Sequence, residues 1–304
     1  MINFRYHLVS LIAVFAALAV GIVLGAGPLQ TRLASTMNPQ TDSQALVESQ
    51  AVSAAEARTA VEAAGLEQLA DSVLPGTLAG TTVATVALPG ADAQDVERVR
   101  RMLTTAGASL VGAASLTDNW DSQAMAQYRQ TLSTPLATHM AGIVPADATA
   151  DAVIGHALVQ VLTSTGSETD LLREIITDES TPILSIEEDP AGGAQAIVLI
   201  GGASSETGTD AAQSAGSGRV VEAWAGAARA VGQAPGGGVV IADASGPSSM
   251  LAQVRALGVP VTSVDSPSSV LGALGVALAL PGAGQQARAF GTGEGATAAL
   301  PDWR

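Results

Sequence analysis

Four residues in the middle of the chain carry side chains that bind transition metals. His139 and Met140 are adjacent, and Asp151 and His156 follow within seventeen positions. Imidazole, thioether and carboxylate groups are all metal ligands in proteins. They would form one cluster if the intervening segment folds back, and the alternative is that they are ordinary surface and helix-packing residues. The chain has no cysteine, which excludes thiolate metal sites and disulfide bonds.

Other polar motifs give little support for catalysis. Gly201 and Gly202 follow the apolar run AIVLI, where a phosphate-binding turn would lie, but neither GxGxxG nor a P-loop is present, and a tight turn is the alternative. Ser204 and Ser205 lack the GxSxG context of an activated serine. The acidic run 187–189 suits either a hard cation or a solvated turn. The sequence therefore predicts no enzyme and no evident cofactor.

Composition sets the class of protein and excludes one class of partner. The chain has 304 residues, of which 47% are hydrophobic, with 33 glycines, which indicates a folded α/β core. It carries 28 acidic against 13 basic residues and a net charge of -15. Because phosphate backbones bind basic surfaces, this balance argues against a nucleic-acid partner.

The amino-terminal segment has the composition of a membrane helix. The run from Leu8 to Gly27 contains no charged residue, and as a helix it would extend about 30 Å, the thickness of a bilayer core. We therefore predict a cytoplasmic N-terminus and a single transmembrane anchor within residues 1–28, with Arg5 on the inner side and the rest of the chain outside the cell membrane. A signal peptide cleaved after Gly25-Ala26-Gly27 is the alternative, although Pro28 would disfavour that cleavage.

Small residues recur along one face of this predicted helix. Ala17, Gly21 and Gly25 are spaced by four positions, which allows a second helix to approach closely. The spacing predicts a helix-dimer seam and hence a homodimer. The alternative is that alanine and glycine are simply common throughout the chain.

A linker and a long helix should follow the membrane segment. Pro28 and Pro39 bracket a stretch of small polar residues, which indicates a linker over residues 29–40, whereas residues 41–76 are rich in helix formers and predict a stalk helix. Leu46, Val47, Ala54 and Val61 form a partial heptad that Gly65 interrupts, which is typical of a weak coiled coil.

Short apolar runs alternate with helical segments through the rest of the chain. TVATVA, ASLVGAASL, AIVLI, GGGVVIA and VPVTSV predict strands, and helices of 10 to 15 residues separate most of them. The sequence therefore predicts an extracytoplasmic α/β domain over residues 77–281, Rossmann-like, with three layers and a mainly parallel sheet. We expect a helical insertion at about 117–188 and a flexible C-terminal tail over 282–304.

Two stretches carry a resemblance to a known family. The opening FRYHLVSLIAVFAALAVGIVLGAGPL, the stalk and α/β region after it, and FGTGEGA at 290–296 resemble the actinobacterial copper-transporter family along essentially the whole chain.

That resemblance implies a cell-envelope protein with a role in copper efflux and homeostasis, and copper as the metal at any cluster of His139, Met140, Asp151 and His156. Some relatives resemble envelope partners of a septation protein. The resemblance therefore also allows a non-catalytic scaffold that regulates cell division or cell-wall remodelling through envelope or division proteins.

Overall fold

The computed structural model describes residues 39–145, 147–190, 193–203 and 219–302. Within those ranges no helix combines the length and the apolar character that spanning a membrane requires. The predicted anchor over residues 1–28, including Ala17, Gly21 and Gly25, lies outside the described residues.

The first described element is a long helix, α1, over Pro39–Val73. Its extent agrees closely with the stalk predicted over 41–76, because the segment lacks internal proline and consists mainly of strong helix formers. Residues 49–62 are exposed and belong to the first of two units, which divide after Glu62. In the second unit, Leu66 and Ala70 of α1 and the following Leu74 pack in or against the smaller apolar core. The coiled-coil pairing of this helix stays a prediction.

A seven-stranded sheet forms the centre of the second unit, in the order β3-β2-β1-β4-β5-β6-β7. All neighbouring strands are parallel except β2 and β3. The strands are β1 (Thr82–Ala87), β2 (Ser109–Leu116), β3 (Leu184–Glu188), β4 (Ala196–Ile200), β5 (Gly238–Ile241), β6 (Thr262–Val264) and β7 (Ala289–Phe290). The predicted mixed α/β fold with a mainly parallel sheet is confirmed.

Helices connect the strands and cover both faces of the sheet. They are α2 (Ala93–Thr105), α3 (Asp118–Asp121), α4 (Ala126–His139), α5 (Ala150–Thr163), α6 (Ser167–Ile176), α7 (Val221–Gly232), α8 (Met250–Ala256) and α9 (Val270–Ala279). Short 3-10 turns lie at Gln123–Met125 and Leu280–Gly282.

The helices form two layers with a separate apolar core on each face. The larger core joins the sheet to α4–α8, and the smaller joins it to α2, α9 and the end of α1. Helices α5 and α7 approach very closely, since a Cβ added to Gly155 would lie 2.8 Å from the Gly226 carbonyl oxygen. Small residues in both helices make this packing possible.

Two strands differ from the sequence expectation. Helices α3 to α6 do lie between Asp118 and Ile176, but Leu184–Glu188, placed in the predicted helical insertion, form an edge strand. Ala289–Phe290, in the predicted flexible tail, pair with β6, while Leu300 packs against the smaller core and Pro301 is buried. Tertiary pairing specifies both short strands, and neither has the apolar run that marks the central strands.

Candidate functional site

Folds of this class usually bind ligands at the carboxyl ends of the two strands between which the strand order reverses, and here these strands are β1 and β4. The strand order reverses there, because the chain moves from β1 to β2 in one direction and from β4 to β5 in the other. Ligands of open α/β sheets bind outside the carboxyl ends of the strands at such a reversal. The loops over residues 88–92 and 201–203 border this position.

These two loops contact one another directly. The Leu88 N–H donates a 2.7 Å hydrogen bond to the Ile200 carbonyl oxygen. A Cβ added to Gly202 would collide with the Gly90 carbonyl oxygen, and one added to Gly201 would press on Ala242 and the Trp224 ring. Gly201 and Gly202 therefore serve close backbone packing, which agrees with the tight-turn alternative.

A buried carboxylate lies beside this contact. Asp121 is 1% exposed, and its Oδ2 accepts hydrogen bonds from the Arg219 guanidinium at 2.7 Å and from the Trp224 indole N–H at 2.9 Å. The rings of Trp120 and Trp224 lie 5.6 Å apart between centroids. The charge of Asp121 is thus balanced by the chain's own guanidinium.

The Arg219 side chain also reaches the loop after β1. Its guanidinium lies 3.4 Å from the Pro89 carbonyl oxygen and 3.7 Å from the Asp118 carboxylate. Arg219 and Trp224 thus border the position at which related folds bind a ligand.

A second buried carboxylate organises the FGTGEGA stretch. Asp265 is 2% exposed and accepts 2.9 Å hydrogen bonds from the backbone N–H groups of Thr292 and Gly293. The Arg255 guanidinium and the Ser266 hydroxyl also donate to it. Burial disfavours its ionisation, but these hydrogen bonds outweigh burial and lower the pKa of Asp265.

Arg255 connects this carboxylate to the backbone around it. Its guanidinium donates to the carbonyl oxygens of Phe290 and Glu294, each at 2.8 Å, and to the Ser263 hydroxyl at 3.0 Å. Gly291, at φ 119°, has no room for a Cβ because the Asp265 carboxylate occupies that space. The buried ion pair between Arg255 and Asp265 therefore holds the backbone at 290–296 against the end of the sheet.

The predicted metal ligands on α4 lie in different environments. His139 ends the helix, and its Nδ1 lies 2.9 Å from the exposed Glu168 carboxylate. Met140 is 0% exposed and belongs to the larger apolar core. The thioether thus packs as a core side chain, whereas the imidazole faces a surface carboxylate.

Asp151 and His156 on α5 also have other neighbours. Asp151 accepts a 2.7 Å hydrogen bond from buried Arg129, which precedes His139 by ten residues, about 15 Å along α4. This pairing places Asp151 near the opposite end of α4 from His139. His156 is 6% exposed, and burial followed by the nearby charge of Arg229 lowers its pKa.

The structure thus does not gather His139 and Asp151 at one point. Across the described residues, no group of three or more His, Asp or Glu side chains is placed to hold a metal ion. The four-residue copper cluster stays a prediction, and the ion pair of Asp151 argues against that carboxylate as a ligand.

The sequence analysis missed the two buried carboxylates, Asp121 and Asp265. Most of their partners are separated from them by ten residues or more, so no local spacing predicts the contacts. For Asp265 the only local signal is the glycine-rich motif at 290–296, since closely spaced glycines allow a backbone to wrap a side chain.

The comparison with protein families gives a clear result. The model of the family described as copper transport outer membrane protein, MctB, matches residues 1–301. The chain therefore belongs to the MctB family. No curated protein matches the chain.

Proposed function

We propose that this protein serves copper homeostasis at the cell envelope as a membrane-anchored binding protein without a catalytic step. The observation that carries the proposal is the family match over residues 1–301, because the family is described by copper transport. The pairing of the buried Asp121 carboxylate with Arg219 supports a role without catalysis.

The anchoring proposed here is single-pass, with a cytoplasmic N-terminus and an extracytoplasmic domain. It is supported by the uncharged run from Leu8 to Gly27, which has the length of a bilayer core. A reporter enzyme active only outside the cytoplasm, fused after residue 40 or after residue 302, tests it. The topology is supported if both fusions are active, and it is contradicted if both fusions are inactive.

The copper role is tested by growth of a deletion strain over a series of copper concentrations. We expect growth to stop at a lower copper concentration than in the parent, and the full-length gene to restore tolerance. Zinc serves as the control metal. Equal copper tolerance of the deletion and parent strains would remove the main support for the proposal.

Direct ligation by His139 and His156 is a separate question. An anaerobic competition titration of the full-length chain with a copper(I) chelator of moderate affinity measures it. Because His139 contacts Glu168 and His156 is buried, we expect His139→Ala and His156→Ala to leave the competition unchanged. Stoichiometric binding that disappears in His139→Ala and His156→Ala would establish the predicted cluster.

A second candidate function is favoured by the exposed surface of α1. Residues 49–62 are exposed, and Val52 and Val61 present 57% and 73% of their surface. The surface of this helix is thus open to a protein partner. This supports an envelope scaffold that regulates division or wall remodelling, for which septal localisation and a division defect after deletion are the expected results. A uniform membrane distribution with normal division would contradict it.

A further inference from the structure

We draw no further inference here: the strongest candidate, the cavity that Leu78, Ala196 and Leu280 line at the amino ends of β1, β4 and β5, carries none, because within the described residues neither a charged side chain nor a buried polar side chain without a partner lines it, and nothing in the structure shows what occupies it.

Discussion

At the scale of single residues, two buried aspartates, each paired with an arginine, hold the carboxyl edge of the sheet together. Asp121 accepts from Arg219 and Trp224, about a hundred residues away, and Asp265 accepts from Arg255, from the adjacent Ser266 and from the loop at 292–293. No sequence pattern predicts such partners, because only the folded sheet brings them together. The sequence could identify metal-binding residue types, but not the ion pair that engages Asp151.

Asp265→Asn should destabilise the domain by about 3 kcal/mol, because Arg255 would remain buried without its counter-charge. Urea unfolding measures the change. Glu294→Gln is the matched control, since that side chain is exposed and only its backbone carbonyl accepts from Arg255. It should stay within about 0.5 kcal/mol of the parent. Equal effects of the two substitutions would show that the Asp265 charge is not required.

The pH dependence of Asp265 follows from its lowered pKa. Its carboxylate stabilises the fold above the unfolded-state pKa of about 3.9, and this contribution is lost as the pH falls through the lower folded-state value. The stability difference between Asp265→Asn and the parent should therefore shrink in strong acid. A difference that is unchanged between neutral and strongly acidic urea titrations would contradict this assignment.

His156 should respond to pH in the same direction for a different reason. Burial and Arg229 lower its folded-state pKa from 6.5, so below that pH the unfolded state binds more protons than the folded state. Stability should thus fall as the pH drops below 6.5, and His156→Gln should show a smaller loss between pH 7.5 and 5.5. Identical slopes in the two proteins would exclude His156 as a contributor.

Thr262 offers a stabilising substitution. Its hydroxyl is buried and has no hydrogen-bond partner within the described residues, which is unfavourable for a polar group. Thr262→Val keeps the branched shape and should raise the free energy of unfolding by about 1 kcal/mol. A loss of stability would indicate that the hydroxyl makes a favourable contact.

At the scale of elements, the sequence predicted the apolar strands β1, β2, β4, β5 and β6 and most of their helices. Their patterns are local, because a buried parallel strand is a short apolar run and a covering helix has an apolar face. β3 carries two glutamates and lies between Pro182 and Pro190, so its strand conformation depends on pairing with β2. The same dependence on a neighbour explains why the two-residue β7 was not predicted.

The contact between α5 and α7 can be tested by a glycine-to-alanine substitution within it and the same substitution, as a control, in α1. Gly155→Ala would put a Cβ 2.8 Å from the Gly226 carbonyl oxygen and should destabilise the domain, as overpacking costs about 1–3 kcal/mol. Gly65→Ala in α1 has open space and should stabilise its helix by up to about 1 kcal/mol. Thermal unfolding should thus shift in opposite directions. Shifts in the same direction would contradict the close packing.

At the scale of the whole molecule, the chain combines membership of a copper transport family with an α/β domain in which Arg219 and Trp224 border the usual ligand position of the fold. The fold class and the family could be predicted from the sequence, since both rest on patterns spread over the whole chain. The sequence could not place the candidate metal ligands, because their neighbours depend on how α4 and α5 pack. A binding role in copper homeostasis accounts for these features together.

The most direct measurement is the copper content of cells that lack this protein. Deletion and parent strains, grown below the toxic copper concentration, are compared by mass spectrometry of cell-associated copper, with zinc and iron as internal controls. We predict that deletion raises copper alone and that the full-length gene restores it. Equal copper in the two strains, or an equal rise of all three metals, would contradict a role in copper homeostasis.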